Sequence, residues 1–200
     1  VVHVEGGVDP LRDREIINTE LIFSDLEQIE KTLPNLQKKA KLAQNKDDKR
    51  SAEILEKIQK VLLEGRLANT LREELTEEEL KLIRSYNFLT LKPFVYALNI
   101  SQEDIQNAEA LKKEFEEKLQ APVAIVCVKI ESEMMELSNE EKSEFLTELL
   151  ELQQGAKIPT LDDLISLAFK QLGLMYYFTT GEKETKAWTI PLNSTAPQAA

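Results

Sequence analysis

Two short segments hold side chains that could recognise a planar polar ligand: Asn99-Ile100-Ser101-Gln102 and Cys127-Val128-Lys129-Ile130-Glu131. The carboxamide of Asn99 can donate and accept along one edge, the pairing by which asparagine reads N7 and N6 of adenine. Each segment follows an apolar run of strand type, and open parallel sheets bind ligands at their strand C-termini. A second chemistry lies earlier in the chain. Lys38, Lys39, Lys41, Lys46, Lys49 and Arg50 face only Asp47 and Asp48 there, a local charge suited to phosphates. The plain alternatives are structural: a turn asparagine, and a solvated basic tip.

Other chemistries find little support. Cys127 is the only cysteine and His3 the only histidine, and they lie far apart in sequence. A Cys–His nucleophile or a His-rich metal site is therefore not expected. Acidic runs such as Glu77-Glu78-Glu79 read as solvated helix faces. No glycine-rich phosphate loop occurs, so this stretch is not expected to hydrolyse a nucleotide alone and holds no candidate catalytic residue. The base itself can be argued. P-loop GTPases read guanine with a strand-end Asn-Lys-x-Asp, whose carboxylate accepts both N–H groups on the Watson–Crick edge. Here Ile100 and Gln102 replace the lysine and the aspartate. A neutral amide is not a double acceptor, so adenine is the expected base.

The chain has 200 residues and a net charge of −11, which disfavours a broad nucleic-acid-binding face. No run approaches the roughly 18 apolar residues of a membrane span. A single cysteine suits a reducing compartment, so a cytoplasmic location is expected. Val1 in place of methionine and the Ala199-Ala200 end lead us to expect a piece of a longer protein.

The elements that would position these residues follow from periodicity. Val1–Val4 reads as extended, Gly6-Gly7 as a loop and Pro10 as a first helical turn. From about Ile16, Ile22, Leu26, Ile29, Leu33, Leu36, Ala40 and Ala43 step by four and three, a heptad seam with Pro34 inside it. After a polar tip at Gln44–Lys49, Ile54, Leu55, Ile58, Val61 and Leu62 share one face of a second helix ending at Gly65. Residues 16–64 thus predict an antiparallel helical hairpin reaching roughly 40 Å. Thr76 and Glu79 predict a capping box. Phe94–Leu98 reads as a strand buried on both faces. A helix starting at Ser101 and Asp104 and a second strand, Val123–Val128, complete a βαβ unit. Helices capped by Ser138/Glu141 and Thr160/Asp163 follow, the latter stopped by Gly173. Met175–Thr180 and Thr185–Ile190 predict a β-hairpin.

Several stretches together resemble the YchF family of Obg-like ATPases. They are Val8-Asp9-Pro10-Leu11-Arg12-Asp13, continuing through Glu15–Leu21, and Cys127-Val128-Lys129-Ile130-Glu131-Ser132-Glu133. Tyr177-Phe178-Thr179-Thr180-Gly181-Glu182-Lys183-Glu184, Ala187-Trp188-Thr189-Ile190 and Thr195–Ala200 complete the set, in family order.

The resemblance implies an α/β fold: the C-terminal part of a P-loop NTPase parallel sheet, a helical coiled-coil insertion, and a truncated β-grasp-like TGS module. It assigns residues 1–15 and 90–172 to the nucleotide-binding domain, 16–89 to the insertion and 173–200 to the TGS module. It implies ATP as ligand, magnesium held in the missing N-terminal part, and association with ribosomes or RNA. Asn99, Ile100, Gln102, Cys127, Val128 and Lys129 would form the base site. Asn99 matches the family's Asn-x-x-Glu, whereas Gln102 departs from its glutamate and Val128 from its usual alanine. The alternative is a non-enzymatic interaction module built on the helical hairpin and the TGS-like end.

Overall fold

The computed structural model describes residues 9–43, 45–152 and 156–199. The expected Val1–Val4 strand, the Gly6-Gly7 loop and His3 lie outside them. The chain forms two compact units that divide between Lys92 and Pro93.

The first unit opens with α1 (Pro10–Ala43), started by Asp9, whose Oδ1 accepts from the N–H groups of Leu11 and Arg12, both at 3.1 Å. Pro10 sits at the first helical position, where its missing N–H costs nothing. The helix continues through Pro34, which lies on the exposed face, where a carbonyl without its partner can be hydrated. Asn45 then caps α2 (Lys46–Leu63), its Oδ1 accepting from the Asp47 N–H at 3.0 Å.

The four–three seam of α1 buries Ile22, Ile29, Leu33 and Leu36 in one cluster with Ile54, Leu55, Ile58 and Leu62 of α2. Each such side chain contributes roughly 1.5–3 kcal/mol of transfer free energy. Gly65 ends α2 at φ +73°, with its N–H on the Leu62 carbonyl and that of Arg66 on Val61, a Schellman closure.

A short turn (Ala68–Leu71), α3 (Glu77–Ile83) and a second turn (Arg84–Tyr86) return the chain to α1. There Asp25, only 1% exposed, accepts from the N–H groups of Leu89 (2.9 Å) and Thr90 (2.7 Å) and from Thr90 Oγ1 (2.6 Å). Gln28 Nε2 donates to the Tyr86 carbonyl at 2.6 Å. These bonds fasten residues 86–90 to α1.

The second unit contains a parallel pair, β1 (Tyr96–Asn99) and β2 (Val123–Val126), in register from Tyr96↔Val123 to Asn99↔Val126. Between them run 3-10 turns (Gln102–Asn107) and α4 (Ala108–Leu119). β2 is buried throughout, but β1 alternates between half-buried and exposed residues. The expectation of a first strand covered on both faces is therefore corrected. Among the described residues β1 pairs only with β2, so one edge and part of one face stay open.

A second correction follows β2. The strand stops at Val126, and Val128 begins α5 (Val128–Met135) instead of extending the sheet. Next comes α6 (Asn139–Leu152), where Ser138 N–H donates to Glu141 at 2.8 Å and the Glu141 N–H returns to Ser138 Oγ at 3.4 Å. α7 (Leu161–Gln171) opens with a Thr160/Asp163 capping box, and Gly173 follows at φ +63°. An antiparallel hairpin, β3 (Leu174–Thr180) with β4 (Thr185–Pro191), precedes the single turn α8 (Ala196–Ala199). The unit's core gathers Ile105, Val123, Ile125, Cys127 and Ile130.

Candidate functional site

The parallel pairing brings the two strand-end segments side by side, because Asn99 stands in register with Val126. Asn99 Oδ1 accepts the Val128 N–H at 3.1 Å, tying the end of β1 to the start of α5. A backbone N–H can only donate, so this bond sets the orientation of the carboxamide. Cys127 supplies no side-chain cap to α5, and Asn99 takes that place from the neighbouring strand. With one lone pair of Oδ1 held by the backbone, the Nδ2 amide is the group best placed to donate to an acceptor on a ligand. Asn99 is exposed, as are Val128 (55%) and Lys129.

Two of the six expected base-site side chains point elsewhere. Cys127 is 0% exposed and Ile100 is 9% exposed, and both belong to the core. The Ile100 N–H donates to the Val126 carbonyl at 2.9 Å, prolonging the strand pairing by one residue. Strand alternation turns these apolar side chains inward, so only their backbone could border a ligand. Gln102 is half-buried at the first position of the 3-10 turns. The exposed side chains that meet at the strand ends are therefore Asn99, Val128 and Lys129.

The basic residues of the first unit gather at the hairpin end. Lys38, Lys39 and Lys41 lie in the last turns of α1, and Lys46 and Lys49 in the first turn of α2, all exposed. Leu42 among them is 86% exposed. Arg50 behaves differently. One guanidinium nitrogen meets Glu53 at 2.8 Å and the other meets Glu79, which is 7% exposed and closes the capping box of α3. Arg50 thus braces α2 against α3 and is a weaker candidate for phosphate than the five lysines. Glu79 is held below its ordinary pKa, first by the Thr76 N–H and further by the Thr76 hydroxyl and Arg50.

Comparison with known proteins extends these observations. The ribosome-binding ATPase YchF of Pasteurella multocida (strain Pm70) is 42% identical over 202 aligned residues, covering 100% of this chain and 53% of that protein. The Obg-like ATPase 1 of Caenorhabditis elegans is 34% identical, covering 100% of this chain and 50% of that protein. The structure of the Schizosaccharomyces pombe YchF GTPase superposes with a TM-score of 0.76 at 31% identity, covering 100% of this chain and 53% of that one. This chain belongs to the YchF family. It spans about half the length of the relatives it matches. Residues 174–200 also match the family YchF-GTPase_C, described as a protein of unknown function (DUF933).

The YchF likeness was legible in the residues, but two features of the site were not. The Asn99–Val128 bond joins residues far apart in sequence, and α5 hides behind an apolar run that reads as continued strand. The Arg50–Glu53 pair has helical spacing that could have signalled that Arg50 was engaged. Its second bond, to Glu79, depends on how α3 folds back.

Proposed function

We propose that this chain supplies the base-recognition and accessory parts of a P-loop NTPase that binds and hydrolyses ATP in preference to GTP. The observation that carries this reading is the Asn99–Val128 bond, which holds the two strand-end segments together as one edge of a base site. The names of the relatives include both ATPases and a GTPase, so the choice of base must be argued from residues. The N7 acceptor that Asn99 Nδ2 suits is common to adenine and guanine. Discrimination therefore falls on Gln102, which stands where a guanine-reading carboxylate would accept two N–H groups.

In the same proposal, residues 1–15 and 90–172 belong to the nucleotide-binding domain, 16–89 to a coiled-coil insertion and 173–200 to the start of a TGS module. Among the described residues no group of three or more His, Cys, Asp or Glu could hold a metal ion. Magnesium and the phosphates would be held by a part of the protein other than this stretch. The ribosome-binding relatives support work on ribosomes in the cytoplasm, and no described helix is long and apolar enough to cross a membrane.

Competition titration of the full-length gene product with ATP and GTP tests this reading. ATP should bind more tightly, and Gln102→Asp should shift the preference toward GTP. Equal or tighter GTP binding by the wild type sinks the adenine assignment. A second reading, that the stretch serves as a protein or RNA interaction module, is favoured by the five exposed lysines at the hairpin end.

A further inference from the structure

The first unit carries a second basic region, on α3 and the segments around it. A concavity of about 360 Å³ opens between α3 and the segment that follows it. Arg72, Lys81, Arg84 and Lys92 stand around it, with Glu77 the one carboxylate in the lining. All four cations are exposed, and among the described residues none is ion-paired with a carboxylate. Arg72 makes one long bond, 3.4 Å, to the Leu91 carbonyl. A local excess of positive charge in a chain of net charge −11 requires an explanation.

The floor is apolar. Leu80 and Leu91 line it half-buried, above Ile83 and Phe88, which are 1% and 3% exposed. Phe88 is too deeply buried to offer a face for base stacking, the interaction by which single-stranded nucleic acid gains affinity beyond its phosphates. Leu80 and Leu91 instead offer aliphatic surface, which rewards burial of an apolar side chain at about 25 cal/mol per Å². A phosphate backbone would gain nothing from such a floor.

We propose that this concavity docks an acidic, leucine-bearing peptide segment of a partner protein. An apolar side chain would seat on Leu80 and Leu91 while flanking carboxylates meet Lys81, Arg84, Arg72 and Lys92. The charge complementarity steers the approach, and the apolar contact selects the sequence. The small area makes the interaction a weak, transient one.

The test uses the full-length protein and a fluorescein-labelled peptide of twelve alternating Glu and Leu residues, read by anisotropy. A second peptide replaces every Leu by Ser, and a labelled oligouridine of equal charge is the nucleic-acid probe. The Glu-Leu peptide should bind at least tenfold more tightly than the Glu-Ser peptide. Lys81→Glu combined with Arg84→Glu should weaken the Glu-Leu peptide at least tenfold, with an unchanged circular dichroism spectrum, and leave oligouridine binding within twofold. Leu80→Ser should reduce the difference between the two peptides. Equal binding of both peptides by the wild type overturns the proposal in favour of an unselective charged patch. An equal or larger loss of oligouridine binding in the double variant overturns it in favour of a nucleic-acid surface. Unchanged Glu-Leu binding in the double variant also overturns it.

Discussion

The Oδ1 of Asn99, at the end of β1, accepts the N–H of Val128, the first residue of α5, across 3.1 Å. One side chain therefore caps a helix and, in the proposed base site, would also face the ligand. The two roles can be separated. Asn99→Asp keeps an acceptor for Val128 but loses the Nδ2 donor. It should leave stability within about 0.5 kcal/mol of wild type and weaken nucleotide binding by about 1–3 kcal/mol in the full-length protein. Asn99→Ala should lose the same affinity and, in addition, about 1 kcal/mol of stability from the missing cap. Thermal melts and nucleotide titrations of both variants check this. Normal affinity in Asn99→Asp would leave Asn99 as a cap alone.

Asp25 makes three hydrogen bonds to the Leu89–Thr90 segment while 1% exposed. Asp25→Ala removes the acceptor and strands the buried N–H of Thr90, at about 1–3 kcal/mol, together with the buried Thr90 hydroxyl and the part-buried N–H of Leu89. A loss of about 2–5 kcal/mol by urea denaturation is expected, with Asp25→Asn falling between it and wild type. A loss below about 0.5 kcal/mol would mean that residues 86–90 hold to α1 by packing alone.

Glu79 has a depressed pKa, caused first by the Thr76 N–H and reinforced by the Thr76 hydroxyl and Arg50. A group whose folded pKa lies below its unfolded value binds more protons when unfolded. The stability it contributes is therefore present above the unfolded pKa and is lost as pH falls through the folded one. The wild type should lose stability on acidification below the ordinary glutamate range, and Glu79→Gln should show a shallower acid limb. Denaturant midpoints from neutral to acid pH decide the matter, and identical slopes would remove Glu79 from the acid response.

In the full-length protein, reversing Lys38, Lys39, Lys41 and Lys46 to glutamate should weaken the proposed ribosome or RNA association while the proposed ATP binding stays intact. Each phosphate that a lysine no longer neutralises should lower the logarithmic salt slope by about 0.7–0.9. Screening over about 8 Å at physiological salt mutes repulsion from the acidic remainder of the chain. Sedimentation of this variant with ribosomes as readily as wild type would make the hairpin end a solvated tip.

Local patterns settled much of this fold in advance. The four–three steps of Ile22, Leu26, Ile29, Leu33 and Leu36 announced a helix with one buried face, since 3.6 residues per turn aligns such positions. Thr76/Glu79, Ser138/Glu141 and Thr160/Asp163 marked helix starts, because each cap closes within one turn. The strand-type runs Met175–Thr180 and Thr185–Ile190 on either side of Gly181–Glu184 marked the hairpin.

Tertiary contacts decided what local pattern leaves open. Whether β1 is covered depends on which strands lie beside it, and a run of apolar residues does not encode that. α5 begins at Val128, receiving its cap from Asn99 on another strand. Arg50 is paired with Glu53 on its own helix and gains its second carboxylate because α3 folds back to place Glu79 within reach. The parallel register sets Asn99 beside Val126, so Ile100 and Cys127, the residues that follow them, join one core cluster while Asn99 stays exposed. Arg72, Lys81, Arg84 and Lys92, scattered along the sequence, share one concavity only after α3 and the segment behind it have folded. In each case the deciding partner is remote along the chain, so no window of sequence contains both halves of the interaction.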